Sequence, residues 1–399
     1  MRLIIWYFSL CGIALHLLLA AVFWKERAFI YEAQQKLERE LIARGYMSPP
    51  PFSDDSIIFV QKQLKKIFHD WQPLTPQAPL EGVWLNGEKQ PDLATAIKRL
   101  KNGSLVQIGT GVYNEPVLIN ADDVIVEGIG DVTFERASVN GKGLFLIKGQ
   151  RTTLKNIQCR DVQVGDGNGS CVRLEGKNLT LQHVYFHSSQ SGILETSQSG
   201  GTVTIIDSRF EQLGFAGQAH GIYLNTADLV FNNSLMLATK DGGHGIKTRG
   251  NSTQISRSIL ATLGSNDSRL IDVSHGGFLQ VVDSVLQEGP NSQNFQLIGF
   301  GLEGLKPSVN QVVMQRNLVL VDRTNPGQLI KTADNSLKMD ITSNVFIGPV
   351  LQAAPNNIDF ADREAAGIVA APELPFTKAI CGSEDQPLPN CPVKRMESE

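Results

Sequence analysis

Short stretches that alternate apolar and polar residues recur through the middle of the chain. Each is followed by a second short apolar stretch and a turn rich in asparagine or glycine. Successive side chains on a β-strand point to opposite faces, so each stretch predicts a strand with one buried face. The stretches are GLFLIKG from Gly143, SCVRLEG from Ser170, SGILETS from Ser191, HGIYLNT from His220, HGIKTRG from His244, RLIDVSH from Arg269 and QLIKTAD from Gln328.

These stretches are spaced as a repeat. The first six begin 21 to 29 residues apart, and the last follows after 59 residues, about two periods. Strands this short cannot bury a face alone, so repeats of this length must stack on one another to share a core. The chain is therefore predicted to be an all-β solenoid in which each repeat is one turn of a parallel β-helix.

Aligning the stretches at a shared Ile/Val position predicts which side chains face solvent. The aligned residue and the one two positions later point into the coil, and the intervening residues point outward. Stacked strands lie about 4.8 Å apart, so the outward residues form one continuous patch. The aligned residues are Val172, Ile193, Ile222, Ile246, Ile271 and Ile330, and the outward columns are Arg173, Leu194, Tyr223, Lys247, Asp272, Lys331 and Glu175, Thr196, Asn225, Arg249, Ser274.

The start of the solenoid carries a further pattern. A short capping helix is predicted over residues 93–100, and a G-x-Y-x-E-x-V-x-I segment follows it at Gly111, Tyr113, Glu115, Val117 and Ile119. This resembles the first coil of the right-handed parallel β-helix proteins often called pectate-lyase-like. The resemblance runs from about residue 92 to 349. It implies a single-stranded right-handed parallel β-helix and, in many such proteins, action on a polysaccharide.

The N-terminus predicts attachment to a membrane. Residues 3–23 contain no Asp, Glu, Lys or Arg, and the run is long enough to cross a bilayer. Trp6, Tyr7 and Trp24 lie near its ends, as is typical of membrane interfaces. An uncleaved transmembrane signal anchor is predicted over residues 1–24, with a cleaved signal peptide as the alternative.

The remaining chain divides into three predicted parts. Residues 25–80 are a helical stalk and linker, with helices over 25–46 and 56–71 separated by three consecutive prolines. Residues 25–71 are a possible contact for a protein partner. The second helix can pack on the solenoid or carry that contact, a simple amphipathic spacer being the alternative. The β-helix is predicted over 81–352, and a C-terminal cap and tail over 353–399. The resemblance places the bulk of the chain outside the cytoplasm, periplasmic or extracellular.

Composition and charge limit the classes of partner and cofactor that the chain is predicted to bind. A chain of 399 residues with 42% hydrophobic content can hold one sizeable domain and an attachment region. A net charge of -4 without a Lys/Arg run argues against nucleic-acid binding. The spacing of Cys and His does not suggest zinc. Calcium is possible but not supported by a tight carboxylate cluster, so no cofactor is predicted. Cys381 and Cys391 allow a disulfide, with isolated thiols as the alternative.

Two histidines are the most distinctive candidates for chemistry. His220 in GQAHGIYLN and His244 in DGGHGIKTRG are 24 residues apart, which stacks them on neighbouring turns. Each precedes its strand and can lean over the patch that contains Tyr223, Lys247 and Arg249. The alternative is that a histidine before a glycine only closes a polar corner.

This set of residue types suits proton abstraction from a uronic acid. That reaction needs a cation to neutralise the carboxylate, a base for the α-proton and an acid for the leaving oxygen. Lys247 or Arg249 is predicted as the cation, His220 or His244 as the base, and Tyr223 as acid or base. The resemblance implies the same chemistry, because many of these proteins are lyases or epimerases that act on acidic polysaccharides. Predicted substrate-binding residues are Asn225, Asp272, His275 and Arg173.

Other interpretations stay open. GGHGI resembles the glycine-histidine-glycine motif of polygalacturonase-like hydrolases, but those enzymes need paired carboxylates, and only Asp241 is near. A non-catalytic carbohydrate-binding or scaffold protein of envelope or exopolysaccharide assembly is a further alternative. A salt bridge between Asp272 and Lys247 is an alternative to a binding role for Asp272. Glu288 and Glu303 are interpreted as loop surface.

Overall fold

The computed structural model describes most of the chain after residue 53. The described residues are 54–196, 200–334, 336–351 and 356–374, together with the short antiparallel strands Gly382–Ser383 and Gln386–Pro387. The predicted transmembrane anchor and the helix predicted over 25–46 lie outside them. Within the described ranges, no helix combines the length and apolar character needed to span a bilayer.

Three parallel ladders of strands wind around one core, which confirms the predicted β-helix. Sheet 1 contains the seven aligned stretches and three further strands. Its ten members, in chain order, are Val117–Ile119, Gly143–Ile147, Ser170–Leu174, Ser191–Glu195, Ile222–Leu224, Ile246–Thr248, Ile271–Val273, Gln296–Phe300, Gly327–Thr332 and Val350–Leu351.

The other two ladders are joined by one long strand, Ile125–Glu135, which pairs with Leu105–Tyr113 before it and with both strands of the next turn. Sheet 2 continues through Thr153–Lys155, Leu179–Gln182, Thr202–Ile206, Asp228–Asn232, Ser252–Ser256, Phe278–Val282, Gln311–Gln315 and Lys338–Thr342. Sheet 3 continues through Gln158–Arg160, Tyr185–His187, Arg209–Glu211, Leu235–Leu237, Ile259–Ala261, Val285–Glu288, Leu318–Val321, Val345–Ile347 and Ile358–Phe360.

The predicted inward column is confirmed by the strand register. Ile193 pairs with Ile222, and the pairing continues through Ile246 and Ile271, all of them completely buried. The alignment missed the strand Gln296–Phe300, whose Ile298 lies between Ile271 and Ile330 in the column. This strand accounts for the gap of two periods.

The first coil is closed by a helix and a hairpin, as solenoid ends require. The helix Leu93–Lys98 begins after Asp92, whose carboxylate accepts the backbone N–H of Thr95 at 2.7 Å. Leu93 and Ala96 are buried in the core. The antiparallel strands Val83–Leu85 and Glu88–Gln90 pair alongside Leu105–Tyr113.

The corner between sheets 2 and 3 repeats one hydrogen bond from turn to turn. From Asp207 onward, each corner has a residue with positive φ, such as Asp207 or Asn233, followed by a Ser or Asn that is at least partly buried. The side chain of that Ser or Asn accepts the backbone N–H of the equivalent residue one turn earlier, so no donor is left unpaired in the core. The ladder runs through Ser208, Ser234, Ser258, Ser284, Asn317, Asn344 and Asn357.

The outer face of sheet 3 is covered by two segments. The helix Asp54–Ile67 lies where a helix over 56–71 was predicted, and its Val60, Leu64 and Ile67 are buried against sheet 3. Residues 356–374 pack on the same apolar cluster through Leu374, and Lys66 pairs with Glu373 at 2.8 Å. The amphipathic helix is therefore part of the domain and not a simple spacer.

After this helix the chain runs back along sheet 3 toward the first coil. Trp71 stacks on Tyr185 with ring centroids 5.9 Å apart. Backbone groups of the segment bond to side chains on successively earlier turns, which fixes its course. These bonds join the carbonyl of His69 to Arg209, the carbonyl of Gln72 to His183, and the N–H of Leu74 to Asn156.

A disulfide joins neighbouring turns inside the core. Cys159 on sheet 3 bonds to Cys171 at the start of the next turn, with their Cα atoms 5.8 Å apart, and both are completely buried. The sequence analysis did not predict this bridge. Cys381 and Cys391, the pair it considered, lie outside the described residues.

Candidate functional site

The outer face of sheet 1 carries the predicted outward column. Strand register places Tyr223 beside Lys247 and Lys247 beside Asp272. Arg173 and Leu194 precede them, and Gly299 separates Asp272 from Lys331. The alignment therefore predicted the placement of these side chains, whereas their roles stay predictions.

Tyr223, Lys247, Arg249 and Glu303 form what we call the central cluster. Glu303 accepts from Lys247 Nζ at 2.9 Å through Oε1 and from Arg249 Nε at 2.6 Å through Oε2. Arg249 also donates through Nη1 to the hydroxyl of Tyr223. One carboxylate thus holds two cations against the outer face of sheet 1, and one of these cations orients the phenol.

The electrostatics of the central cluster keep Glu303 ionised. Burial alone would raise the pKa of this carboxyl, but hydrogen bonds from Arg249 and Lys247 outweigh burial and hold the pKa at about 2. A carboxylate with so low a pKa has no proton to donate near neutral pH. Glu303 therefore acts as a fixed counter-ion and not as a general acid.

His220 and His244 stack as predicted, but they lie beneath the surface. Their ring centroids are 5.0 Å apart, and the backbone N–H of His244 donates to His220 Nδ1 at 3.0 Å. The His220 ring also packs edge-on against Tyr223. Burial, followed by the nearby His244 and Lys247, lowers the pKa of His220 well below its usual value. His220 is 3% exposed and its ring supports Tyr223, while its role as a base stays a prediction.

Asp272 is drawn away from Lys247. Its carboxylate lies 3.2 Å from Arg269 Nη1 and 3.6 Å from His244 Nε2, and it accepts the hydroxyl of Ser274 at 2.6 Å. The expected Asp272–Lys247 salt bridge is wrong, because Lys247 pairs with Glu303 instead. Asp272 is also 4% exposed, and its role in substrate binding stays a prediction.

A groove of about 480 Å³ opens beside the central cluster. The buried carboxylate of Glu195 fixes its wall by accepting the backbone N–H groups of Asn225 and Thr226 at 2.7 and 2.9 Å. Both Asn225 and His275 were predicted from the sequence to bind substrate. The lining residues are Asn225, Thr226, Arg249, Asn251, His275, Lys306 and Pro307.

His275 is the histidine that reaches this groove. Its Nε2 lies 3.8 Å from Glu303 Oε2. Burial first, and then the positive charges of Lys306 and Arg249, lower the pKa of His275. The imidazole is therefore neutral at neutral pH and can accept a proton. The groove thus contains a base that the sequence had suggested only for binding.

Two charged residues at the groove were not predicted from the sequence to belong to the site. Glu303 and Lys306 both lie on the loop after Gln296–Phe300, the strand that the alignment missed. The loop is held in place because the N–H of Glu303 bonds to the carbonyl of Ser274 at 2.9 Å. The signal was an acidic and a basic residue in a glycine-rich stretch, GFGLEGLKP, directly after a sheet 1 strand.

The structure also bears on metal binding. Among the residues that the structure describes, no group of three or more His, Cys, Asp or Glu side chains is arranged to hold a metal ion. The ligands closest to such a role, Glu303 and His275, are accompanied by Lys247 and Arg249, whose charges oppose a cation.

Comparison with known proteins yields similar structures only. No known protein-family profile matches the sequence, and no curated protein matches it. Pectate lyase Pel9A is 16% identical, with a TM-score of 0.44, over 79% of this chain and 88% of the lyase.

Two further structures show the same level of likeness. A pectin methylesterase mutant, solved in complex with a hexasaccharide, is 13% identical with a TM-score of 0.40, over 74% of this chain and 94% of its own. ORF18 of Geobacillus virus E2 is 12% identical with a TM-score of 0.39, over 76% of this chain and 64% of its own. Likeness at this level assigns no activity.

Proposed function

We propose that the protein binds an acidic polysaccharide on the outer face of sheet 1 and modifies it as a lyase or epimerase. One observation carries this proposal. Arg249, Lys306 and His275 line the groove, and Glu303 beside it pairs with Arg249 and Lys247, so the groove has surplus positive charge and a neutral base. Positive charge attracts the carboxylate of a uronic acid, and a neutral imidazole can remove its α-proton.

The residues take the following roles in the proposed reaction. Lys306 and Arg249 hold the sugar carboxylate, and His275 takes the proton on the adjacent carbon. In elimination, the electron pair of that C–H bond forms the ring double bond, the bond to the glycosidic oxygen breaks, and Tyr223 gives that oxygen a proton. In epimerisation, the glycosidic bond stays intact, His275 keeps the proton it removed, and Tyr223 gives a proton to the opposite face of the same carbon.

A non-catalytic binding or scaffold role is the second candidate. It is favoured by the pairing of Glu303 with both Lys247 and Arg249, because both cations already have a carboxylate partner before a ligand arrives. Hydrolysis is less well supported. It needs a proton-donating carboxyl group at the groove, but the pKa of Glu303 is about 2 and Asp272 is buried between Arg269 and His244. Burial raises the pKa of Asp241, but Asp241 does not line the groove.

We place the protein outside the cytoplasm, anchored through residues 1–24. The buried Cys159–Cys171 disulfide supports this location, because disulfides persist in oxidising compartments. Residues 25–71 remain a proposed contact for a protein partner. Protease digestion of intact cells and of broken cells tests the location: protection that persists after the envelope is opened would contradict it.

The activity is tested on a panel of polyuronates. Unsaturated uronate is followed by ultraviolet absorbance, and epimerised product by NMR. His275→Gln and Arg249→Gln should each lower turnover by at least about a hundredfold, because each removes a group that acts at the reacting carbon. Arg316→Gln is the matched control, since Arg316 pairs with Asp283 far from sheet 1.

The outcomes separate the candidates. Full turnover by His275→Gln would remove this residue from the mechanism. Tight binding by the wild type without absorbance change or epimerised product would establish the scaffold role instead. Circular dichroism of each variant shows whether a loss of turnover reflects a loss of fold.

A further inference from the structure

We infer that the outer face of sheet 1 holds a second anion site, formed by Lys142, Lys148 and Arg173 around Glu175. We call these four residues the distal cluster. The inference rests on the proposed function, because the distal cluster would bind another acidic group of the same polysaccharide. It assigns the ligand to the linear polyanionic glycans, with charged groups repeated along the chain.

The distal cluster is built around one carboxylate. Lys142 Nζ lies 2.7 Å from Glu175 Oε1, and Lys148 Nζ lies 3.6 Å from Glu175 Oε2. The hydrogen bond from Lys142, opposed by burial and aided by the charges of Lys148 and Arg173, lowers the pKa of Glu175. The lysine side chains are 42% and 49% exposed, so their ammonium groups remain accessible to a ligand.

The distal cluster repeats the charge pattern of the groove. Each pairs two cations with one carboxylate and has a third cation nearby. Lys142 and Lys148 pair with Glu175 near Arg173, whereas Lys247 and Arg249 pair with Glu303 and Lys306 lines the adjacent groove. Each therefore has two positive charges in surplus. A single set of cations with one carboxylate can be explained as solvated ion pairs. Two such sets on the outer face of sheet 1 indicate a ligand that contacts both.

The two clusters lie on the same outward columns. Arg173, Leu194, Tyr223 and Lys247 pair in succession, so Arg173 and Lys247 are three turns apart. At about 4.8 Å per turn, this separation is about 14 Å along the solenoid axis. Leu194 and Thr196 between them are uncharged. A monosaccharide cannot reach both clusters, whereas a longer acidic oligosaccharide lying along the axis can.

The test compares a short and a long ligand on the full chain. Titration calorimetry measures the affinity for galacturonic acid and for its linear hexasaccharide. In the double variant Lys142→Gln/Lys148→Gln, hexasaccharide affinity should fall about tenfold, because two partly exposed charge contacts are lost. Affinity for the monosaccharide, which binds at the central cluster, should not change.

A matched control removes two positive charges elsewhere. Lys155→Gln/Arg316→Gln neutralises a lysine and an arginine that pair with Glu127 and Asp283 away from sheet 1. Its hexasaccharide affinity should equal that of the wild type. An equal loss of hexasaccharide affinity in both double variants would show that net charge alone causes the effect, and would overturn the inference. Unchanged hexasaccharide affinity in Lys142→Gln/Lys148→Gln would also overturn it. If the wild type binds neither ligand, the proposed function itself fails.

Discussion

Sheets 3 and 1 are built from the same kind of alternating strands, but the outer face of sheet 3 is covered and the outer face of sheet 1 is partly exposed. On the later turns of sheet 3, the outward residues are apolar, such as Leu237, Ile259 and Val285, and the helix Asp54–Ile67 and residues 356–374 bury them. On sheet 1, the outward residues include Lys247 and Arg249, which stay partly exposed. The chemistry of the outward column thus distinguishes a face that packs from a face that binds.

The largest effect is expected where the covering helix packs. Leu64 is 2% exposed against sheet 3. Leu64→Ala should lower the free energy of unfolding by about 3 kcal/mol, because it removes buried methyl groups and leaves a cavity. Chemical denaturation measures the change. Affinity for acidic saccharides should stay as in the wild type, since the helix does not contact sheet 1.

The matched control lies on the same helix. Ile58 is 46% exposed, so Ile58→Ala should change the free energy of unfolding by less than about 0.5 kcal/mol. Equal losses in Ile58→Ala and Leu64→Ala would contradict packing of Leu64 on sheet 3 as the cause, because alanine favours the helix at both positions.

A second prediction concerns the border between the two faces. Glu288, at the end of its sheet 3 strand, is buried near Asp267 and Arg323. Burial raises the pKa of Glu288 to about 8, although Arg323 opposes the shift. Because the folded state prefers the protonated carboxyl, stability should fall as pH rises from about 4.5 to 8. Glu288→Gln should remove much of this fall, on the order of 2 kcal/mol.

An ion pair with the opposite shift provides the control. The hydrogen bond from Arg316 lowers the pKa of Asp283, so this pair stabilises the fold above the unfolded pKa and is lost as pH falls. Asp283→Asn should therefore change the acid side of the stability profile only. An unaltered alkaline side in Glu288→Gln would contradict the predicted protonation of Glu288.

The smallest effect is expected at the central cluster. Glu303→Gln removes the charge that neutralises Lys247 and Arg249, so affinity for galacturonic acid should rise about threefold. Acid stability should also change. Ionised Glu303 stabilises the fold, and this contribution is lost as pH falls through about 2. In Glu303→Gln the contribution is absent at every pH, so this pH-dependent loss should not occur.

The control for this variant is Glu127→Gln, which breaks a comparable ion pair with Lys155 on sheet 2. Its saccharide affinity should equal that of the wild type. Weaker binding by Glu303→Gln would mean that Glu303 is needed to hold the two cations in position, and that a ligand does not compete with it.

Much of the fold was predictable because alternation and repeat length are properties of the sequence. The Ser/Asn ladder was also present in the sequence, as recurring pairs such as Asn233-Ser234 and Arg316-Asn317 before an apolar residue, but it was not predicted. Predicting that the helix Asp54–Ile67 packs on sheet 3 requires the observation that the outward residues of sheet 3 are apolar. These apolar outward residues are also present in the sequence, but they become apparent only when the strands of sheet 3 are aligned.

The site was harder to predict because its contacts join distant turns. Lys247 and Glu303 are 56 residues apart, and the loop that carries Glu303 follows a strand missed by the alignment. The burial of His220 depends on how its ring stacks on the next turn, which sequence spacing does not specify. Asp272 could not be assigned between Lys247 and Arg269 for the same reason.

The ladder of Ser and Asn side chains also bears on how such a chain can change in length. Each rung, such as Ser234 or Ser258, serves only the turn before it, so a whole repeat can be duplicated without disturbing those beyond. A duplication between Arg173 and Lys247 would move the two basic groups apart by one strand spacing, about 4.8 Å. Gain or loss of a single repeat would thus change the shortest polymer that can contact both basic groups.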